Sequence, residues 1–355
     1  MPGAAMSGKL RPMRTMIAPF PAAAPVSVAP MMALTDRHAR YFLRLLSRAT
    51  GLYTEMVTTG AILHGDRSYL LDFDAAEQPL GLQLGGSEPE ALARCARIAE
   101  QWGYAEVNLN VGCPSDRVKN GRFGACLMLE PERVADCVFA MREAVEIPVT
   151  VKTRIGVDDL PHWQGLRNFV HIVSGRGGCR DFIVHARRAL LQGLSPRENR
   201  EVPPLDYAVV SRLKNHFPDL RIVLNGGVGS LDETAGHLRN FDGVMIGRAA
   251  YYNPWMLAGV DQRFAGMQAG PSSPHQVLRD YLPYVQRQLD QGARLIHMSR
   301  HLAGLFQGVP GARRYRRWLS ENAPRTGAGV EVIEQAMKLV PESFRVADKD
   351  HKIAI

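Results

Sequence analysis

From residue 26 onward, short apolar runs rich in β-branched residues alternate with longer segments in which apolar residues recur every three or four positions. The short runs predict β-strands, and the periodic segments predict amphipathic helices. Eight strands are predicted, at 26–29, 52–57, 80–84, 106–111, 149–152, 182–185, 222–224 and 243–246. Helical patterns lie between most of them, as at 88–102, 131–144, 206–217 and 231–238.

This alternation of strands and helices is typical of βα units around a parallel sheet. Eight strands favour a closed (β/α)8 TIM barrel over an open doubly wound sheet. The barrel is predicted to span residues 26–262, close to the usual size of about 250 residues. The fold class is therefore predicted as α/β, a (β/α)8 TIM barrel followed by a small all-α helical bundle domain.

The remainder of the 355 residues divides into flanking segments. A linker rich in Gly, Pro and Ser is expected at 263–274, and four helical patterns at 276–289, 293–306, 312–322 and 330–339 predict a helical domain over 275–342. Residues 343–355 form a tail. Residues 1–25 are predicted to be a flexible extension, because their prolines interrupt a stretch that otherwise resembles a signal peptide.

Composition narrows the class of protein. Hydrophobic residues make up 46% of the chain and charged residues 22%, as expected for a globular protein with a sizeable core. The net charge of +8 favours polyanionic partners without identifying one. Five cysteines with no CxxC pair indicate a reducing, cytoplasmic setting, and no metal site is predicted. No stretch is long and apolar enough to predict a membrane span.

Candidate functional residues follow the predicted strands, at the barrel end where chemistry is expected. Each has a structural explanation by itself, such as a cap, a rim charge or a core histidine. Their occurrence at eight consecutive strand ends favours an active site. In chain order they are Ala29 to Met32, Glu55 with Thr58, Gln83, Asn110 with Cys113, Lys152 with Arg154, His185 with Arg187, Asn225-Gly226-Gly227, and Gly247-Arg248.

The last two groups follow strands seven and eight, where this fold commonly binds a phosphate through close backbone N–H groups. A pair of tight turns is the alternative explanation. The sequence has no GxxxxGK[ST] motif and no GxGxxG motif after a strand. A mononucleotide across the barrel mouth is therefore predicted, and flavin mononucleotide (FMN) fits that description.

The segment Asn108-Leu109-Asn110-Val111-Gly112-Cys113-Pro114-Ser115-Asp116-Arg117, together with the strand-end motifs, resembles the tRNA-dihydrouridine synthases. The match runs from about residue 28 to 339. Segments 193–200 and 305–313 make the A-type subgroup the most similar. One departure is Ala33-Leu34, where members of that subgroup usually carry an acidic-aromatic pair.

The resemblance implies FMN-dependent reduction of uridine to 5,6-dihydrouridine in the D-loop of tRNA, at positions 20 and 20a. Reduced FMN would give a hydride to carbon 6 of uracil, Cys113 would protonate carbon 5, and NADPH would reduce the flavin again. Thiols are mostly protonated at neutral pH, so Cys113 suits the role of general acid. The implied cofactor-binding residues are Ala29, Pro30, Met31, Met32, Gln83, Lys152, His185, Asn225, Gly226, Gly227, Gly247 and Arg248.

A uracil stacked in a folded RNA must be extruded to reach the flavin, at a cost that other contacts must offset. Basic residues at helical spacing in the C-terminal region, with Arg300 and His301 on the preceding helix, are expected to supply them. A solvated basic face is the alternative. The implied tRNA-binding residues are Asn110, Arg154, Arg187, Arg197, Arg200, Arg313 and Arg316.

The resemblance implies no protein partner, and a monomer is expected. Two other functions remain open from the residues alone. One is a small-molecule FMN barrel reductase of the dihydroorotate or ene-reductase type, against which the basic helical domain argues. The other is a non-catalytic RNA-binding protein.

Overall fold

The computed structural model describes residues 19–115, 121–159, 162–195 and 197–342. Eight parallel strands form its centre, and every predicted strand is present with bounds that differ by at most two residues. They are β1 Val26–Val28, β2 Leu52–Thr58, β3 Leu80–Gly85, β4 Glu106–Val111, β5 Val149–Arg154, β6 Asp181–His185, β7 Arg221–Asn225 and β8 Gly243–Ile246.

The sheet closes on itself. The hydrogen-bonded strand order is β1-β8-β7-β6-β5-β4-β3-β2, so β1 and β2 stand at the two ends of the order. These ends meet where the amide of Val28 donates to the carbonyl of Gly51 at 2.9 Å, beside the start of β2. Gly51 in turn donates to Val26 at 2.9 Å. A Cβ at Gly51 would lie 2.4 Å from the carbonyl oxygen of Pro21, so the close packing of the Pro21 backbone against the start of β2 requires a glycine. The predicted (β/α)8 barrel is confirmed.

Helices cover the outside of the barrel and continue beyond it. In the described residues they are α1 Arg37–Leu46, α2 Thr59–His64, α3 Arg67–Leu71, α4 Pro89–Trp102, α5 Pro131–Arg142, α6 His162–Gly175, α7 Tyr207–His216, α8 Leu231–Leu238, α9 Arg248–Tyr252, α10 Val260–Ala265, α11 Pro274–Asp290, α12 Leu295–Ser299, α13 Ala312–Asn322 and α14 Glu331–Met337. None of them is long and apolar enough to cross a membrane.

The amino-terminal stretch differs from its expectation. Within the predicted flexible extension, Pro21–Ala23 form a 3₁₀ turn whose Ala22 is 2% exposed. The amide of Ala22 donates to Oε2 of Glu106 at 2.8 Å, and Arg221 donates to the Ala22 carbonyl at 2.7 Å. These bonds fix the turn against the floor of the barrel. Residues 1–18 lie outside the described part of the chain.

The C-terminal region also departs from the pattern in detail. Helix α10 crosses the predicted barrel end at 262, and α11 begins inside the predicted linker, where the Ser273 hydroxyl caps it by accepting from the amide of Gln276 at 3.2 Å. The single helix predicted at 293–306 is instead α12 followed by the 3₁₀ turn Arg300–Leu302. The predicted tail 343–355 lies outside the described residues.

The helical region packs on the first helix of the barrel. Tyr41 on α1 stacks on Tyr284 on α11 with ring centroids 3.9 Å apart, and the Tyr284 hydroxyl lies 2.8 Å from Nδ1 of His38. The Tyr281 hydroxyl donates to the carbonyl of His38 at 3.1 Å. Burial lowers the pKa of His38 to about 4, which keeps this imidazole neutral at the interface.

Candidate active site at the barrel mouth

Strand β4 positions Cys113. Successive side chains of a strand point to opposite faces, so Glu106, Asn108 and Asn110 all face the barrel interior, with Glu106 at the floor and Asn110 at the mouth. Oδ1 of Asn110 accepts from the amides of Gly112 and Cys113, both at 3.0 Å. The loop that carries the partly exposed Cys113 is therefore held by the strand that precedes it.

Arg154 holds the same loop from the side. Its Nε donates to the carbonyl of Gly112 at 2.9 Å, and its Nη1 donates to the carbonyls of Arg188 at 2.8 Å and Asn199 at 3.0 Å. The residue is 4% exposed, and its burial lowers the pKa of the guanidinium to about 10. These bonds use Nε and Nη1 and leave Nη2 without a partner among the described residues, so the tRNA contact that the resemblance implies for Arg154 stays a prediction. The three bonds brace the loop after β4 against the loop after β6.

Lys152 spans the mouth. Its Nζ, on β5, donates to Oδ1 of Asn225 on β7 at 3.1 Å, and Nδ2 of Asn225 donates to the carbonyl of Met245 at 2.8 Å. Burial, followed by the positive charge of Arg154, lowers the pKa of Lys152 to about 8. A cation at this point suits the stabilisation of negative charge on a bound group.

His185 lies at the end of β6, the strand between β5 and β7. Burial, together with the charges of Arg154 and Lys152, lowers the pKa of His185 well below its usual range, so the imidazole is neutral at physiological pH. A neutral imidazole offers one N–H donor and one acceptor. His185 can therefore contact an uncharged part of a cofactor or base.

The glycines after β7 and β8 leave room for an anion. Gly226 and Gly227 have φ angles of 115° and 75°, and a Cβ would lie 2.5 Å from the His185 ring and 2.4 Å from Leu205 respectively. A Cβ on Gly247 would meet nothing within 4 Å. The amides of these glycines donate to no other described residue. Open space beside free backbone donors fits a phosphate group.

The residues after β1 form one side of the barrel mouth. Ala29 is 5% exposed and donates to the carbonyl of Ile246 at 2.8 Å, which closes the mouth between β1 and β8. Pro30 and Met31 are partly buried, and Met32 is 58% exposed. Ala33 has a φ of 62°, and its amide donates to the carboxylate of Glu55. The departure at Ala33-Leu34 thus coincides with a strained turn at the rim.

Several arginines rim the mouth. Arg187 donates to the carbonyls of Glu201 and Pro203. Arg248 forms an ion pair with Glu201 at 2.7 Å, and Arg197 pairs with the same carboxylate at 3.6 Å. Sequence reasoning missed Glu201, whose charge offsets part of the basic rim. Arg200 is exposed beside this cluster.

The basic residues of the helical region divide into two groups. Arg313 and Arg316 on α13 are exposed and have no ion pair among the described residues. Arg300 and His301, expected on the same surface, instead bind Asp36 of the barrel, with His301 Nε2 3.0 Å from Asp36 Oδ1. His301 is 2% exposed, so it belongs to the interface between barrel and helices.

In the described part of the chain, no three side chains of His, Cys, Asp or Glu are grouped to hold a metal ion. The groups that the structure places at this barrel end are a thiol, a lysine, side-chain amides and backbone N–H donors. Arginines surround them. The cationic and backbone donors suit an anionic cofactor, and the thiol suits a proton donor at the same barrel end.

Comparison with known proteins gives a consistent result. The model of the Dihydrouridine synthase (Dus) family matches residues 27–340. The chain is 60% identical over 316 residues to a tRNA-dihydrouridine(20/20a) synthase of Salmonella typhimurium, covering 89% of this chain and 95% of that protein. It is 59% identical to the same-named protein of Escherichia coli, covering 89% and 91%.

One of the similar solved structures is a 2-naphthoyl-CoA reductase complex. It superposes with a TM-score of 0.51 at 11% identity, covering 67% of this chain and 50% of that one. At this identity the likeness concerns the fold alone.

Proposed function

The chain belongs to the dihydrouridine synthase family, and we propose that it reduces uridine in tRNA to 5,6-dihydrouridine at positions 20 and 20a, the positions named for its relatives. The observation that carries the proposal is the placement of the Cys113 thiol at the barrel mouth, on a loop held by Asn110 and Arg154. A proton donor fixed beside an anion site is what reduction of a uracil ring requires.

FMN is the proposed cofactor. When bound and reduced by NADPH, it supplies the hydride that adds to carbon 6 of the uracil. Asn225, Gly226, Gly227, Gly247 and Arg248 would hold its phosphate end through backbone donors and charge. Lys152, His185 and Gln83 would contact the ring or ribityl chain, with Ala29, Pro30, Met31 and Met32 beside them.

Cys113 is the proposed general acid toward carbon 5. Asn110 has already committed its carbonyl oxygen to two backbone amides and one amide hydrogen to Gln83, so it retains one N–H for a uracil oxygen. Asn110 would thereby align the base with the thiol. Arg154 keeps the thiol loop in place.

Arginines at the rim and on α13 would bind the RNA. The partly buried Arg187 lies at the rim with the exposed Arg197 and Arg200. Arg313 and Arg316 face solvent on α13 and have no ion pair within the described part of the chain. Phosphate contacts of this kind fix the position of the RNA and offset the cost of extruding the base. We expect a monomer that acts in the cytoplasm on tRNA.

The direct test is anaerobic incubation of the FMN-loaded protein with NADPH and an unmodified tRNA transcript, followed by mass mapping of the RNA. A gain of two hydrogens at the D-loop uridines supports the proposal. Oxidation of NADPH with dihydroorotate-type or enone substrates, together with unchanged tRNA, would instead indicate a small-molecule reductase.

A further inference from the structure

A continuous chain of side-chain hydrogen bonds crosses the barrel interior from floor to mouth. The Thr150 hydroxyl on β5 donates to Oε1 of Glu106 at 2.5 Å, and Asn108 Nδ2 donates to the Thr150 oxygen at 2.7 Å. Gln83 Nε2 donates to Asn108 Oδ1 at 2.8 Å, and Asn110 Nδ2 donates to Gln83 Oε1 at 2.8 Å. The chain ends on the backbone amides of Gly112 and Cys113.

Every donor in this chain points toward Glu106. Burial raises the pKa of Glu106 to about 7, while its hydrogen bonds from Thr150, the Ala22 amide and Tyr53 act in the opposite direction. Oε1 of Glu106 accepts from both the Thr150 and the Tyr53 hydroxyls, so the Thr150 hydrogen is committed to Glu106 and the Thr150 oxygen is left to accept from Asn108. That choice turns the Asn108 carbonyl toward Gln83, and the same logic turns the Gln83 carbonyl toward Asn110. Glu106 thus sets the orientation of three amides that could otherwise flip.

Among the described residues, the side-chain amides of Gln83 and Asn108 have no hydrogen-bond partner outside this chain. Glu106, Asn108 and Thr150 are fully buried and Gln83 is 1% exposed, so bulk water cannot satisfy a flipped amide. A flipped Asn110 would direct its NH₂ group at the amides of Gly112 and Cys113 and leave both donors unpaired. The orientation of Asn110 therefore bears directly on the position of the thiol loop.

We propose that Glu106, acting through Thr150, Asn108 and Gln83, is a positioning residue that fixes the Asn110 amide and thereby the Cys113 loop. Its effect on turnover rests on the proposed function; its effect on the loop does not. A purely structural role for Glu106 is the competing explanation, because its carboxylate also accepts from Ala22 and from the Tyr53 hydroxyl, at 2.8 and 2.9 Å.

Three variants separate the two explanations. Thr150→Val is nearly isosteric and removes the hydroxyl that links Asn108 to Glu106, whereas Thr150→Ser keeps that hydroxyl. Tyr53→Phe is the matched control, because it removes a donor from the same Glu106 oxygen without interrupting the chain. Should Thr150→Val fail to fold, Asn108→Leu interrupts the chain one link further along without taking a donor from Glu106.

The first readout is hydrogen–deuterium exchange of the Gly112 and Cys113 amides in the cofactor-free protein, resolved to single residues. Thr150→Val should exchange these amides at least tenfold faster than wild type, while Thr150→Ser and Tyr53→Phe stay within threefold. Unchanged exchange in Thr150→Val overturns the proposal. Equal acceleration in Tyr53→Phe also overturns it, because loosening of the floor would then suffice.

The second readout is the single-turnover rate of uridine reduction by pre-reduced protein, compared with its affinity for tRNA. Thr150→Val should lower the rate about tenfold with affinity unchanged, and Thr150→Ser should restore it. An equal rate in Thr150→Val and wild type contradicts the catalytic part of the proposal. If the exchange result holds but wild type leaves tRNA unreduced, the proposed function fails and the positioning role stands.

Discussion

Nζ of Lys152 donates to Oδ1 of Asn225 at 3.1 Å and so joins the ends of β5 and β7 across the barrel mouth. The strand between them ends in His185, whose imidazole is neutral. One titratable cation therefore stands at the centre of the proposed flavin site. The pKa of Lys152, lowered to about 8 by burial and by Arg154, makes its charge sensitive to mildly alkaline pH.

Lys152→Met should weaken FMN binding by roughly tenfold or more, because a hydrogen bond to a charged group contributes about 1.5–3 kcal/mol. In wild type, a bound anion raises the pKa of Lys152, so affinity should fall as pH rises above about 8, by at most roughly tenfold per pH unit. Fluorescence titration of the cofactor-free protein between pH 6.5 and 9.5 measures both effects.

The same titration on Lys214→Met supplies the control, since Lys214 lies on the outer helix α7 and pairs with Asp242 at 2.8 Å. That variant should keep the wild-type affinity and pH profile. A Lys152→Met protein with wild-type affinity at every pH would remove Lys152 from the flavin site.

Cys113→Ala should bind FMN and accept hydride from NADPH normally but lose tRNA reduction by roughly 10²- to 10⁴-fold, because only the proton donor is removed. Stopped-flow flavin absorbance separates the two half-reactions. Cys126→Ala is the matched control, since its thiol donates to the carbonyl of Phe123 at 3.1 Å. Near-wild-type turnover in Cys113→Ala would assign the acid elsewhere.

Replacing Arg313 and Arg316 together by Ala should raise the KM for tRNA and leave NADPH oxidation by oxygen unchanged. Each lost phosphate contact should reduce the slope of log K against log salt by somewhat less than one unit, as it does by about 0.9 on B-form DNA and by about 0.7 on a single strand. Binding titrations at several salt concentrations measure the slope.

Arg94 and Arg97 provide the control pair, because they are exposed on α4 at the same three-residue spacing. Their double Ala variant should keep the wild-type salt slope. Equal slopes in both double variants, with unchanged melting by circular dichroism, would mean that α13 does not bind tRNA through this face.

Asp36→Asn should destabilise the protein by about 2 kcal/mol at neutral pH, because hydrogen bonds to charged groups hold the barrel to the helical region. Burial alone would raise the pKa of Asp36, but the bonds and charges of His301, the Ala39 amide and Arg300 hold that pKa well below its usual range. The stabilisation is present above the ordinary Asp pKa and is lost as pH falls toward the folded value.

Urea unfolding at pH 3 to 8 measures this dependence. The difference between wild type and Asp36→Asn should be constant above about pH 5 and shrink below about pH 4. Asp72→Asn is the control, since Asp72 is 61% exposed in its pair with Arg37 and should change stability by less than about 1 kcal/mol. A difference that grows toward low pH would contradict the assignment.

The strands and their functional ends were predictable because strand periodicity and the barrel rule act on local sequence. The floor was not predictable, because the prolines around Pro21–Ala23 indicated a flexible extension. The distant side chains of Glu106 and Arg221, which bond to its backbone, show why the turn is ordered. The change from α12 to the 3₁₀ turn Arg300–Leu302 was not predicted either, and Arg300 in that turn forms a long-range ion pair with Asp36, which no local pattern encodes.

Within the site, residue types indicated chemistry but not partners. Arg154 braces the mouth because backbone carbonyls from the loops after β4 and β6 converge on it, and such convergence is set by tertiary structure. The role proposed for Glu106 is similar. A carboxylate at the start of a strand gives no sign of reaching the other end until its neighbours on β3 and β5 are in register.

The formation of dihydrouridine in tRNA through Cys113 is measured by mass mapping of tRNA from a strain lacking the gene, complemented with wild type or with Cys113→Ala at equal protein levels. Wild type should restore dihydrouridine at D-loop positions 20 and 20a, while Cys113→Ala should leave them as uridine. Uridine at both positions after wild-type complementation, or full dihydrouridine with Cys113→Ala, would contradict this prediction.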